Sequence, residues 1–261
     1  MTILTWNING IRASIKKGLW DKIQDLNVDI ACFQETKADE TIMADSAIGH
    51  DDYDLEFNSC KIKKGYSGVA NFIRKDAVKV INNYNHLDNV DFDNEGRFQV
   101  TQFDHNGINY ALINCYYPQG GRDYRIPFKL DFYKLVLAKA NEYKKAGFKC
   151  ILCGDFNTTF ADIDLARPNE NRNTTGCLPI ERDVLNDMVK SGYVDIFRIN
   201  NPDLPDIYSY WDQITRARDR NVGWRIDFFL VDESIIENIK SVEVKMEVIG
   251  SDHCPVILTL K

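Results

Sequence analysis

The chain has few histidines, no spaced cysteine framework, no long apolar run and no surplus of positive charge. Seven cysteines are an odd number, and Cys150 and Cys153 form the one C-x-x-C. No second pair follows it, only four histidines exist, and it lies in a strand-like run. The cysteines are therefore expected to be small core hydrophobes rather than a zinc or redox site. No stretch is long and apolar enough for a bilayer span, and the N-terminus enters Ile3-Leu4 with no basic region before it. That leads to the expectation of an intracellular protein without membrane association, in cytoplasm or nucleoid, or in a nucleus if the source is eukaryotic. Repeats, low-complexity tracts and Pro/Ser-rich linkers are missing too. The net charge of -7 argues, at face value, against a nucleic-acid partner. Two features weaken that exclusion. Part of the acid belongs to a candidate metal site, where a bound cation would reverse the local field. The basic residues also cluster, at Lys61, Lys63 and Lys64, at Arg122 and Arg125, and at Arg216, Arg218, Arg220 and Arg225.

Hydrophobic patterning predicts strands over residues 2–8, 28–34, 68–73, 78–81, 98–103, 109–116, 149–153, 225–231, 242–244 and 256–260. Helical spacing predicts helices over 19–26, 123–146 and 181–190, the last beginning near Pro179. Asp104-His105-Asn106-Gly107 reads as a hairpin turn, with Asn-Gly at its centre. Many strands with few helices imply a layered α/β protein. A regular βα alternation is absent, so two stacked sheets flanked by helices are expected rather than one doubly wound parallel sheet.

Polar side chains recur just after apolar runs. Asn7 and Asn9 end the first strand, and Glu35 follows Ile30-Ala31-Cys32-Phe33. Asp155 and Asn157 follow Ile151-Leu152-Cys153 across a glycine, Asp227 sits in Trp224-Arg225-Ile226-Asp227-Phe228-Phe229, and Asp252-His253 precede Cys254-Pro255-Val256. A carboxylate at a buried strand end is costly unless it is paired or holds a cation. Any one of these acids is explained as well by a turn or a core ion pair. Together they suit one centre for a hard divalent cation and a phosphate. They run from Trp6 to His253, so both ends of the chain must contribute, and one domain over residues 1–261 is expected.

The ordered motifs Trp6-Asn7-x-Asn9-Gly10, Gln34-Glu35-Thr36-Lys37, Gly65-Tyr66-Ser67-Gly68-Val69-Ala70, Glu95-Gly96-Arg97, Tyr116-x-Pro118, Gly154-Asp155-Phe156-Asn157, Asn221-Val222-Gly223-Trp224-Arg225-x-Asp227 and Ser251-Asp252-His253 span the chain. In them it resembles the exonuclease III family of apurinic/apyrimidinic endonucleases, within the deoxyribonuclease-I-like endonuclease/exonuclease/phosphatase superfamily. The resemblance implies a four-layer α/β sandwich of two packed mixed β-sheets flanked by helices. It implies a Mg2+-dependent enzyme, with Mn2+ able to replace Mg2+, acting on double-stranded DNA with abasic sites or blocked 3′ ends, as a monomer. Glu35, Asn7 and Asp252 match the metal position. Asp155 and His253 match the candidates for general base, Asp155 being preferred. Asn157 would place the water or donate to the phosphate, Asp227 would pair with His253, and Tyr116 would donate to the phosphate or the leaving oxygen. Tyr210, Trp224 and Ile226 match a pocket for a base-free sugar; the family usually carries Phe at Tyr210, so a hydroxyl enters the rim. Arg122, Lys63, Asn171, Asn173 and Arg216 would grip phosphates without reading sequence. Glu35, Asp155 and His253 alone would equally serve a phosphoesterase for inositol phosphates, phospholipids or RNA tails. Glu95-Gly96-Arg97 and the 221–227 segment favour DNA repair. A silent DNA-binding relative would have lost a catalytic residue, and none is missing.

Overall fold

A computed structural model describes residues 1–121 and 125–261. Its strands are β1 (Thr2–Asn7), β2 (Ile30–Gln34), β3 (Tyr53–Asn58), β4 (Val69–Arg74), β5 (Lys79–Tyr84) and β6 (Phe98–His105). They continue with β7 (Ile108–Tyr116), β8 (Lys149–Asp155), β9 (Tyr193–Asp195), β10 (Asp227–Asp232), β11 (Ile239–Val244) and β12 (Val256–Leu260). Two six-stranded sheets result, in the orders β11-β12-β1-β2-β4-β3 and β5-β6-β7-β8-β10-β9. Each has one parallel pair near its centre, β1 with β2 and β7 with β8. The fold is a four-layer sandwich of two mixed sheets flanked by helices, as the resemblance implied.

The parallel pairs explain where the site lies. They bring the C-terminal ends of β1 and β2 to one edge of their sheet, and those of β7 and β8 to one edge of theirs. β10 runs antiparallel to β8 and β12 antiparallel to β1, so both begin at these same edges. The register sets Tyr116, Asp155 and Asp227 side by side across three neighbouring strands.

Side chains alternate between faces with period two. In β8, Ile151 and Cys153 join the core between the sheets, while Cys150 and Leu152 pack under the helices Arg125–Lys145 and Pro179–Lys190. In β1, Ile3 faces the other sheet, while Leu4 and Trp6 pack outward with Leu19 and Ile23 of the helix Leu19–Asp25. Asn7 and Asp155 share the parity of Ile3 and Cys153, so both point into the space between the sheets. All seven cysteines are free and buried. Cys150 and Cys153 lie on opposite faces of β8, which excludes a shared metal and bears out the core reading.

The Asn106-Gly107 turn forms as expected, both residues taking positive φ (54° and 77°) between β6 and β7. Two strands went unread. β3, with sequence Tyr-Asp-Leu-Glu-Phe-Asn, alternates, but it is half charged or amide and lies at a sheet edge. β9 has only three residues, too few for a period. The first two residues of the helix expected at 123–146 lie outside the described residues.

Gly154 shows why the acid of β8 follows a glycine. Its φ is +132°, and a Cβ there would stand 1.9 Å from the carbonyl oxygen of Cys115, its neighbour in β7. Backbone cannot yield as a flexible side chain does. Gly154→Ala is expected to destabilise the protein by about 3 kcal/mol or more in urea unfolding. A loss below about 1 kcal/mol would contradict this packing.

Candidate active site

Loops leaving β1 and β2 stay tied to each other: the N–H of Gly10 donates to Glu35 O at 2.8 Å, and that of Ile11 to Thr36 O at 2.9 Å. The C-terminal loop is fastened to β1, with Trp6 Nε1 donating to His253 O (3.1 Å) and Ser251 Oγ to Asn7 O (2.8 Å). Asn9, Glu35, Lys37 and Asn157 all take left-handed backbone angles, with φ between 49° and 52°. Glu and Lys rarely adopt that conformation, and such residues gather where a fold over-determines functional geometry.

The structure brings Asn7, Glu35, Asp155, Asn157, Asp227, Asp252 and His253 to one centre between the sheet edges. Asn7 Nδ2 donates to Glu35 Oε1 (2.9 Å) and to Asp155 Oδ2 (2.8 Å), while its Oδ1 accepts from Asn9 N (3.1 Å). Its Nδ2 thus holds two carboxylates in place, while Oδ1, a carbonyl oxygen with a second lone pair, keeps capacity for the metal role expected of Asn7. Asp252 accepts from Asn9 Nδ2 at 3.0 Å. Lys37 Nζ lies 2.8 Å from Glu35 Oε2 and also donates to Asn9 Oδ1. An ammonium thus already sits among these oxygens, so the Glu35 side of the centre accommodates a positive charge. Sequence reasoning placed Asn9 at the strand end beside Asn7 without giving it a role, and passed over Lys37, although it stands inside a motif that had been singled out.

His253 Nδ1 lies 2.8 Å from Asp227 Oδ2, and its Nε2 lies 3.8 Å from Asp155 Oδ2. The ring packs against Tyr210, with centroids 4.9 Å apart. Burial works against a charged ring, but the carboxylates of Asp227 and Asp155 outweigh it and raise the imidazole to about 10. Burial raises the Asp155 carboxyl to about 7, with His253 opposing and Asp227 adding to the rise. Burial likewise disfavours the Glu35 carboxylate, yet the Asn7 amide and the Lys37 ammonium hold it below the ordinary value. Burial and then Glu35 push the Tyr116 phenol well up, against the Arg97 guanidinium. Tyr116 therefore keeps its proton and can donate it to an anionic oxygen.

Asp155, Asp227 and His253 each bring one ligand atom within 4.8 Å of the others, a spacing that could hold a metal ion. The imidazole would have to give up its proton to ligate one. The hard oxygens on the Glu35 side fit a divalent cation better.

Asn157 and His253 also line a cavity of about 180 Å³, walled by Tyr210, Trp224 and Ile226. Thr174 and Thr175, with Gln119 and Gly120, form its rim; sequence reasoning had offered Asn171 and Asn173 from the loop of the two threonines. Asn171 Nδ2 donates back to Arg167 O at 2.9 Å, and Asn173 is exposed in a separate groove beside Arg172 and Arg182. A loop without period gives no way to tell which of its neighbouring residues turns inward. Lys63 is exposed, its Nζ 5.1 Å above the Tyr66 ring. Tyr66 Oη accepts from Arg97 Nη2 (2.7 Å), and that guanidinium stands 4.6 Å from the Tyr116 ring, so the lysine loop leads into the centre. Arg216 is exposed beside Ile214, which is 93% exposed. Arg122 lies outside the described residues. The cluster read as Arg216, Arg218, Arg220 and Arg225 needs correcting. Arg225 is buried and bonded to Asp164 (2.9 Å) and Asp195 (2.6 Å), and Arg218 donates to Met246 O and Val248 O.

A model of the Endonuclease/Exonuclease/phosphatase family matches residues 4–253. The chain is 36% identical over 262 residues to an exodeoxyribonuclease of Bacillus subtilis, covering 100% of this chain and 99% of the relative. It is 32% identical over 266 residues to a DNA repair nuclease of Danio rerio, covering 100% and 82%. Among solved structures, an AP endonuclease of Leishmania major superimposes with a TM-score of 0.92 at 25% identity, covering 100% of this chain and 87% of that one. Among the described residues, no helix is long and apolar enough to cross a membrane.

Proposed function

The chain belongs to the Endonuclease/Exonuclease/phosphatase family, and on that premise we propose that it is a DNA repair nuclease. It hydrolyses the phosphodiester 5′ to an abasic site in duplex DNA, with 3′-phosphodiesterase or 3′→5′ exonuclease activity at the same centre. One observation carries the abasic specificity. The cavity that shares Asn157 and His253 with the acidic centre is smaller than ordinary small-molecule pockets of ~300 Å³ and above. Its walls are Tyr210, Trp224 and Ile226. That space suits a flipped-out sugar that has lost its base, and extrusion costs least for such a nucleotide.

In this reading Asp155 takes the proton of the attacking water, and Asn157 orients that water. His253, held protonated by Asp227, donates through Nε2 to the non-bridging phosphate oxygen as charge gathers there. Its 3.8 Å separation from Asp155 is too long for a direct hydrogen bond and leaves space for an oxygen against both. The bond from phosphorus to the 3′ oxygen breaks, and Tyr116 stands to donate to that oxygen. Glu35, Asn7 and Asp252 would hold Mg2+, or Mn2+ in its place, which would supply charge neutralisation at the phosphate and the leaving oxygen. Lys63 and Arg216 would contact phosphates, and the protein would act as a monomer.

The test is incision of an end-labelled duplex carrying one abasic analogue, in Mg2+ and in EDTA, beside an intact duplex and a Glu35→Ala control. Mg2+-dependent cutting 5′ to the lesion, lost in the control, is the expected result. Tight, salt-dependent binding without incision would point to a silent binder. Neither binding nor incision would point to a phosphoesterase for a different substrate.

A further inference from the structure

We propose that the buried ion pair Lys129–Glu181 is a positioning element. It locks the rim of the small cavity to the loop carrying Asn157, and through that lock sets how strictly the site rejects a nucleotide that still has its base. The inference rests on the abasic-site reading above.

Both side chains are fully buried, and Lys129 Nζ lies 2.7 Å from Glu181 Oε1. The same ammonium donates to the carbonyl oxygen of Asn157 at 2.7 Å. Lys129 comes from the helix Arg125–Lys145, and Glu181 from the first turn of the helix Pro179–Lys190. Glu181 reaches back from that turn to the cavity rim. Its Oε1 accepts from Thr175 Oγ1 (2.6 Å), and its Oε2 from the N–H of Gly176 (2.5 Å) and of Leu178 (3.2 Å). One charge pair therefore has two arms. The ammonium holds the backbone of Asn157, which sits in a left-handed conformation, and the carboxylate holds Thr175 and Gly176.

The two arms meet at the cavity. Gly176 has φ +93°, and a Cβ there would stand 3.1 Å from both Asn157 O and Trp224 Cζ3. Thr159 closes the circuit, its N–H donating to Gly176 O at 2.8 Å. A small shift of this loop would therefore move the Thr174–Thr175 rim, the Trp224 wall and the Asn157 amide together.

A helix-to-helix link alone would not call for this arrangement. Isolated buried ion pairs give little net stability over apolar residues of similar volume, because both ions lose their water. Here burial pulls the lysine below its ordinary value even against the Glu181 carboxylate. What the pair provides over an apolar contact is direction: donors and acceptors aimed at one carbonyl, one hydroxyl and two N–H groups.

The test uses Lys129→Met/Glu181→Gln, which removes both charges together and leaves a side-chain oxygen to cap the helix. Single-turnover incision is measured on an abasic duplex and on an intact one, with melting temperature recorded alongside. The expected result is a melting temperature within a few degrees of the wild type. The rate on the abasic duplex falls about tenfold or more, the preference for it over intact duplex falls by a similar factor, and Lys129→Arg restores part of both. A folded double variant with wild-type rate and preference would overturn the proposal and leave the pair a structural link. Should the double variant not fold, Thr175→Val decides instead, since it cuts the rim from Glu181 without touching either buried charge. A severalfold loss of preference supports the lock, and an unchanged preference overturns it. If the wild type itself does not cut the abasic duplex, the proposed function fails first, and the variants are not needed to show it.

Discussion

Asp155→Asn is expected to lower single-turnover incision by about 10³-fold, within the range assigned to loss of a general base. The substitution keeps shape and takes away proton affinity. An amide at this position keeps one of the two bonds that Asp155 now accepts, from Asn7 Nδ2 to Oδ2 (2.8 Å) or from the N–H of Asn157 to Oδ1 (2.8 Å), and still lies between Tyr116 and Asp227 in the sheet register. Binding of duplex should therefore change little, and the loss should fall on the chemical step. The wild-type rate should rise with pH through about 7 when cation is limiting, because the carboxyl there is raised to about that value and only its ionised form takes a proton. Bound cation favours the carboxylate and moves this limb to lower pH. The variant should show no such limb. Retention of more than a tenth of the wild-type rate would remove Asp155 from the role and leave His253 as the base.

Which parts of this centre were legible follows from which rules reach them. Asn7, Glu35 and Asp155 could be read because each ends an apolar run at the edge of a sheet. Strand parity then turns Asn7 and Asp155 to the space between the sheets, where a polar group needs a reason. The Asn106-Gly107 hairpin could be read because a two-residue turn demands positive φ. Lys129 could not. On a helix of 21 residues with six lysines and arginines, a lysine reads as a solvated face, and its burial depends on Glu181, 52 residues away. Arg225 misled for the same reason: partners at Asp164 and Asp195 turn an apparent surface charge into a core one. Glu181 carried a partial signal, a carboxylate at the third position of a helix opened by Pro179, which predicts a cap. It did not predict that the capped loop forms a cavity wall.

His253→Gln is expected to slow incision by about 10²–10³-fold, the scale for losing one preorganised donor to a developing charge. Asp227→Asn tests the cause more sharply, because it leaves the imidazole in place. In the wild type the ring is raised to about 10, so its charged form persists through neutral pH, and the rate should fall only as pH climbs towards that value. Without the Asp227 carboxylate the largest favourable influence on the charged ring is gone, while burial still opposes it. The ring's value then drops towards its ordinary 6.5, and the alkaline fall begins at lower pH. The variant should be strongly impaired at pH 8 and should recover part of the deficit towards pH 6. Asp227 also helps to raise the Asp155 carboxyl, so the acid limb moves in the variant too, and the ratio of variant to wild type is read on the alkaline side, where Asp155 is ionised in both. The same experiment separates two uses of the Asp155, Asp227 and His253 cluster. If these three held a metal ion, Asp227→Asn would raise the concentration of cation needed for half-maximal rate. If they form a proton-holding pair beside a base, the cation requirement stays near wild type and the alkaline limb moves. The 2.8 Å contact of Nδ1 with Asp227 and the charged state it maintains favour the second outcome.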